Sequence, residues 1–432
     1  IGRGRMYVDG LLVENHGGGE EVFDPVLAEL RGQSSLDYYQ QPYFLEPSPP
    51  PEGPYLAYLE VWQRELTHLQ YPEMVENAVG VDTTTRWQIV WQVRFLALGG
   101  ESEEESEGTH VNCSTPDDRL PGWQTLTRPS AGRMSIKAEV APPDTGPCEL
   151  PPSGGYRGLE NQLYRIEIHN GGAVGAATFK WSRDNASVAS SVVEILEDGK
   201  KLRLASLGRD TVLRFNAGDW VEILDDWREL DGAEDGDPAL RRREMRHGEM
   251  RRITVVSDDM QTIEFSPALP ADLIPAGGDD TLAARHTRVR RWDQKGTVRD
   301  TNGNLLANLD DPNSSGLIPI SALGVWVELE KGIQVRFSLD PAGGEFRSGA
   351  YWVSAARTAD TSIETFTDAP PRGIHRHYAR LAIVDLRDNE RVISDCRIHW
   401  PPACGGCCTI TVAPGESIQA ALDALPDEGG CV

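Results

Sequence analysis

The chain has 432 residues, enough to bury a substantial core and to form two or three domains. Its formal net charge of −25 weighs against binding a nucleic-acid backbone or an anionic membrane surface, and favours solubility outside a cell. No apolar run reaches the roughly 18 residues of a membrane-spanning helix, and 43 Gly with 29 Pro point to the many turns of a mainly β protein.

The chain opens with Met6-Tyr7-Val8 and Leu11-Leu12-Val13 around Asp9-Gly10, a strong hairpin signal because both turn residues tolerate positive φ. The proline-rich run 40–54 is expected to lie extended over a surface. Tyr55–Arg64 carries bulky residues on both alternating faces, so a strand covered on both sides is expected. Pro72 suits the first turn of a short helix over Tyr71–Val79. Trp87–Leu98 is the strongest strand signal, with Ile89, Trp91, Val93 and Phe95 on one face. The acidic run 99–108 reads as a solvated loop.

Gln162–His169, Ala177–Trp181 and Ser191–Ile195 read as strands joined by turns, the first close to a period of two. Trp181, beside Lys180 and Arg183, reads as a core or edge ring with cations lying over it, or as part of a binding surface. Val193–Leu204 is a second hairpin around Asp198-Gly199. Asp219–Leu224 and the pair Arg251–Val256 with Thr262–Phe265 complete a small barrel or sandwich over 156–266. Residues 267–284 have little periodicity and read as a linker. Val289–Trp292 opens a last β region. It continues with a hairpin of Val325–Leu329 and Ile333–Phe337, then Ala350–Ala356, Tyr378–Asp385 and Arg391–Cys396. The expected divisions are therefore 1–98, an irregular excursion 99–155, a central β-barrel or sandwich 156–266, the linker, a C-terminal β domain 285–400 and a junction 401–432.

Five of the seven cysteines fall between 396 and 431. Cys396-x-x-His399 followed by Cys404-x-x-Cys407 has zinc-like spacing within each pair. Disulfides that include Cys408 and Cys431, or free thiols, are the alternatives. Cys113 and Cys148 bracket the excursion, as a disulfide at its base would, or are unrelated thiols. Asp300–Asn304 has alternating oxygens like part of a calcium loop, but its Gly is misplaced and no bidentate Glu follows, so a polar turn is the better reading. The Asp231–Asp237 loop shares that ambiguity. His375-x-His377 places two imidazoles on one strand face; an ordinary loop into Tyr378–Asp385 is the simpler reading. No G-x-S-x-G, H-E-x-x-H or phosphate-binding loop occurs, and no catalytic pair stands out among the many carboxylates. The tryptophans Trp62, Trp87, Trp91, Trp181, Trp220, Trp292, Trp326 and Trp352 fall on expected strands and read as core before sugar platform.

The phrases GRGRMYVDGLLVEN, YLEVWQREL, LENQLYRIEIH, FKWSRDNASV and RRWDQ together resemble the DUF6519 family, from Arg3 to about Trp400. Members of that family are typically encoded beside extracellular contractile injection systems, phage-tail-like machines, and often carry a parallel β-helix after this region. The family supplies no catalytic residue to carry over. The tail CCTITVAPGESIQAALDALPDEGGCV is similar to the N-terminal cap of a pectate-lyase-like right-handed β-helix, with Ser417 capping a helix whose Ile418, Ala421, Leu422 and Leu425 share a face. The start at Ile1, without a signal peptide, and the end at Val432 in mid-pattern read as those of a piece of a longer polypeptide.

The resemblance implies a structural, non-catalytic decoration, fibre, spike or baseplate-associated module of an injection system, extracellular or on a released particle. Protein partners in a large assembly, self-association, and a cell-surface glycan or receptor contacted through the downstream region are the expected partners. No nucleic acid and no membrane insertion are expected. No cofactor is expected beyond the zinc or calcium alternatives above. A polysaccharide-degrading enzyme acting through the downstream β-helix, or a self-assembling secreted surface or adhesion protein, is the alternative.

Overall fold

The computed structural model describes residues 1–17, 35–45, 47–51, 53–98, 111–139, 155–230, 233–234, 243–244, 248–387, 390–398, 412 and 417–424. The chain is mainly β with antiparallel sheets, as expected, and three β bodies carry the core.

The first is a four-stranded sheet in the order Glu390–Asp395, Arg376–Arg387, Tyr55–Leu66, Arg86–Ala97. Tyr55–Leu66 is central and buried along almost its whole length, which explains bulky side chains on both of its faces. Leu59 and Val61 meet Trp91, Val93 and the N-terminal hairpin residues Val8 and Val13 on one face. Leu56 and Tyr58 meet Leu96, Ile383 and the short helix Trp123–Thr127 on the other. The covering hairpin pairs Gly4–Val8 with Leu11–Asn15 through Asp9 (φ 46°) and Gly10 (φ 88°), the doubly left-handed turn that favours Asp-Gly. Over Tyr71–Val79 only Pro72–Met74 is helical, a single 3₁₀ turn, and Val75–Glu76 then pairs with Val81–Asp82.

The second body is two sheets on one shared core. Ile318–Pro319, Thr178–Ser182, Gln162–Ile168, Tyr351–Arg357 and Ser362–Ile363 form one sheet. Trp326–Glu328, Ile333–Leu339, Gly132–Ala138 and Phe366–Ala369 form the other. Tyr164, Ile166, Phe179 and Trp352 from the first pack against Ile136, Val335 and Phe337 from the second. The hairpin expected over Glu330-Lys331-Gly332 is present.

The third body is a closed six-stranded barrel. Its order is Ala189–Leu196, Lys201–Leu204, Thr262–Phe265, Glu249–Ser257, Trp220–Leu224 and Arg288–Trp292, which returns to the first strand. Leu202, Leu204, Val221, Ile223, Ile263 and Val289 fill its interior.

This architecture redraws the expected divisions. The barrel spans 189–292, and not 156–266: Gln162–Ile168 and Thr178–Ser182 pair with each other and with Tyr351–Arg357, so they belong to the second body. Residues 267–284 are not a linker. They form a 3₁₀ turn Ala271–Leu273 and a helix Asp279–Ala284, and Leu269, Leu273 and Leu282 pack into the barrel core. These apolar residues follow no period, so pattern alone hides them. The excursion 99–155 supplies Gly132–Ala138, an inner strand of the second body. The region 285–400 is divided among all three bodies, and its last strands join the N-terminal region in one sheet through Arg376–Arg387 and Tyr55–Leu66.

Cys113 is joined to Cys396. That corrects the expected Cys113–Cys148 bond, since one Sγ makes one disulfide; Cys148 lies outside the described residues. The bond links the segment before helix Trp123–Thr127 to the end of strand Glu390–Asp395, 283 residues away. A loop this long favours a large entropic contribution, but the Tyr55–Leu66 and Arg376–Arg387 pairing already holds distant parts of the chain together. Reduction, or Cys113→Ser with Cys396→Ser, is therefore expected to lower stability by about 2 kcal/mol. Denaturant midpoints with and without reductant check this, and an unchanged midpoint refutes it.

Gly316 has φ +77°, and a Cβ there would lie 2.3 Å from Cε3 of Trp220. Trp220 is buried with Trp292 and Met250 beside the barrel. Gly316→Ala combines a strained backbone with a displaced indole and is expected to cost about 2 kcal/mol or more. A melting temperature equal to that of the parent would refute this.

Candidate functional site

Strands Tyr55–Leu66 and Arg376–Arg387 present one set of side chains toward the sandwich-like body. A cavity of about 390 Å³ lies there. The sheet contributes Tyr58, Glu60, Arg376, His377 and Tyr378 to its lining. Leu126, Thr127, Pro129 and Ser130 follow from the short helix, Arg133 from the Gly132–Ala138 strand, and Arg347, Ser348 and Ala350 from the approach to Tyr351. Pro370, Pro371 and Gly373–His375 complete the wall.

Glu60 is the buried carboxylate of this lining. Its Oε1 accepts a hydrogen bond from Arg376 Nη1 at 2.6 Å, and its Oε2 lies 2.9 Å from Arg94 Nε. Tyr378 Oη donates to Oε1 at 3.4 Å. Burial pushes the Glu60 carboxyl up, but Arg376 and Arg94 outweigh it and hold the group below the ordinary carboxylate range. Arg376 also stacks 4.3 Å from the Trp62 ring centre, and Arg94 4.3 Å from that of Phe44. Burial, then the Glu60 charge, raises the Tyr58 phenol strongly and pushes Tyr378 up to about 12. Both phenols stay neutral at physiological pH. Each can therefore donate a hydrogen bond but not act as a base, and Tyr378 donates to Glu60.

A second buried constellation joins the sandwich-like body to the barrel. Lys180, 1% exposed, donates to Glu222 Oε1 at 2.6 Å and lies 3.3 Å from Glu167 Oε1. His169 Nδ1 is 3.2 Å from its ammonium, and the Trp292 ring centre 4.4 Å. Trp292 Nε1 donates to Glu222 Oε2 at 2.9 Å. Burial raises the Glu222 carboxyl, but Lys180, Arg290 and these hydrogen bonds bring it down to about 2. A third network joins the barrel to the four-stranded sheet: Asp226 binds Arg288 at 3.0 Å, Arg64 at 3.2 Å and His286 at 2.9 Å, while Glu229 pairs with both arginines.

The expected site residues are only partly brought together. Cys396 is in a disulfide, so it is not a zinc thiolate here. His399, Cys404, Cys407, Cys408 and Cys431 lie outside the described residues, as does most of the Asp231–Asp237 loop. Among the described residues no group of three His, Cys, Asp or Glu side chains is placed to hold a metal ion. Both His375 and His377 border the cavity, but the His377 imidazole is engaged by Asp9 of the N-terminal hairpin, its Nδ1 3.0 Å from Asp9 Oδ2. The Asp300 carboxylate accepts from Asn302 N, Asn304 N and Asn304 Nδ2, the polar turn preferred above. Trp62, Trp91, Trp181, Trp220, Trp292 and Trp352 are buried core residues, while Trp87 is exposed and Lys137 covers Trp326.

Lys180 does not lie over Trp181. It is an inward-facing ion-pair partner; Arg183 does lie over the Trp181 ring, 6.0 Å from its centre, and is held by Glu330 at 2.8 Å. Glu60, Arg94, Lys180 and Glu222 were missed as network members. The available signal was a charge placed inside an otherwise apolar strand, as in YLEVW and DWVEIL.

The fold and its buried seams define a barrel-and-sandwich β protein whose bodies are joined through buried ion pairs. The chain belongs to DUF6519, a family of unknown function whose model matches residues 3–114 and 124–431. No curated protein and no solved structure matches it.

Proposed function

We propose that this chain is a structural, non-catalytic module of a phage-tail-like extracellular contractile injection system, a rigid body that displays a β-helix begun by its C-terminal stretch. The observation that carries the reading is the way the bodies are joined. Strands near opposite ends of the chain pair in one sheet, and buried ion pairs, Lys180 with Glu222 and Arg64 with Asp226, tie the barrel to both neighbouring bodies. Such joints resist bending and hold a distal part at a fixed angle. The Cys113–Cys396 disulfide supports an oxidising, extracellular setting.

The Ile418–Asp423 helix supports the β-helix part of the proposal. Ser417 Oγ accepts from Ala420 N at 3.2 Å, and Ile418 and Leu422 are exposed, an apolar face suited to covering the end of a solenoid. Partners would be other proteins of the particle or further copies of the chain, with a receptor or glycan met through the downstream region. Cryo-electron microscopy of native particles tests this. Density for these three bodies at a fixed position on the sheath, baseplate or fibre is expected; purified particles lacking the chain would end the proposal.

A further inference from the structure

The cavity lies between the four-stranded sheet and the sandwich-like body. The buried ion pairs of Glu60 with Arg94 and Arg376 lie within the four-stranded sheet, and an open volume of about 390 Å³ remains beside them. That size lies within the roughly 300–1,000 Å³ of small-molecule sites.

Its chemistry is lopsided. Glu60 has both oxygens engaged, Oε1 by Arg376 and Tyr378 and Oε2 by Arg94, so it has little left to offer a ligand. The lining is otherwise rich in donors. The Arg376 guanidinium reaches the cavity beside its bond to Glu60. Neither Tyr58 Oη nor His375 has a hydrogen-bond partner among the described residues, and both line the space. Ser130 Oγ accepts from Gly132 N and keeps its own hydrogen to donate. Leu126, Ile374 and Pro371 supply apolar wall. Donors without matching acceptors call for an acceptor-rich guest, and a planar anion answers a guanidinium best. The apolar wall asks that the anion carry a compact body.

We propose that this cavity binds a small organic carboxylate, with the carboxylate directed at Arg376, His375 and Tyr58 and a ring-sized body against Ile374 and Pro371. An aromatic acid and a sugar acid share this chemistry, so both serve as probes.

Calorimetric titration of the disulfide-intact chain with 4-hydroxybenzoate and with glucuronate tests it, with phenol and inorganic phosphate as controls. At least one acid is expected to bind saturably below about 10 mM, with phenol and phosphate each about tenfold weaker or more. His375→Ala and Tyr58→Phe are each expected to weaken that acid about fivefold. His375 is exposed and makes no bond to the fold, so its replacement leaves the ligand-free unfolding midpoint in place and the loss reads on binding alone. Absence of binding by both acids would overturn the proposal. So would phosphate or phenol binding as tightly as the acid, or an affinity unchanged in both variants.

Discussion

Lys180→Met is expected to lower the unfolding free energy by about 3–5 kcal/mol. The substituted chain keeps the length of the side chain but removes its charge. Glu167 and Glu222, both buried, are then left facing each other, with Arg165 at 2.7 Å and Arg290 as the nearest compensation. His169 and the Trp292 ring lose their cation as well. The pair lies where Thr178–Ser182 of the sandwich-like body meets Trp220–Leu224 and Arg288–Trp292 of the barrel. The loss should therefore loosen the two bodies from each other before either unfolds. Guanidinium denaturation followed by tryptophan fluorescence reads the cost, and proteolysis reads the loosening. A change below about 1 kcal/mol would show that the network is not what joins them. Adding Glu222→Gln to Lys180→Met should recover part of the loss, because it removes one of the stranded charges.

Acidification is expected to act in two stages. Burial raises Asp184, Asp219 and Asp225 above the ordinary carboxylate range, against the pull of the arginines near each. A raised acid destabilises the fold while ionised, so this cost fades as pH falls through its folded value toward about 4. Stability should hold or rise slightly over that interval. Glu60, Glu167, Glu222 and Asp226 behave in the opposite way. Burial works against their ionised form as well, but their paired cations prevail and hold them low. Their contribution is complete above the ordinary carboxylate value and disappears as pH falls through their folded values, which for Glu222 is about 2. Stability should therefore fall steeply below about pH 4. Denaturant midpoints from pH 7 to 2 check the shape, and a steady decline from neutrality would contradict it. In Glu222→Gln the low-pH decline should be shallower, since one of the four titrating groups is gone.

The same buried charges show where reading the chain alone stops. The strands Tyr55–Leu66, Arg86–Ala97 and Gln162–Ile168, and the hairpins at Asp9-Gly10 and Asp198-Gly199, were legible because their signals are local. Alternation marks a strand, and two residues tolerant of positive φ mark its return. The polar turn at Asp300 and the Ser417 cap were legible for the same reason, since each satisfies backbone groups only a few residues away.

Which strands would meet was another matter. Arg376–Arg387 and Tyr55–Leu66 find each other across some three hundred residues, and so do Cys113 and Cys396. Nothing in either segment names the other, because many apolar edges of similar length are equivalent until the whole core is packed. A closed barrel over 189–292, the burial of Leu269, Leu273 and Leu282, and the meeting of Glu60 with Arg94 and Arg376 all follow from that global packing. Local chemistry settled the elements and their turns. Tertiary structure alone settled their partners, and with them the cavity, because burial and charge pairing are properties of residues brought together from distant parts of the chain.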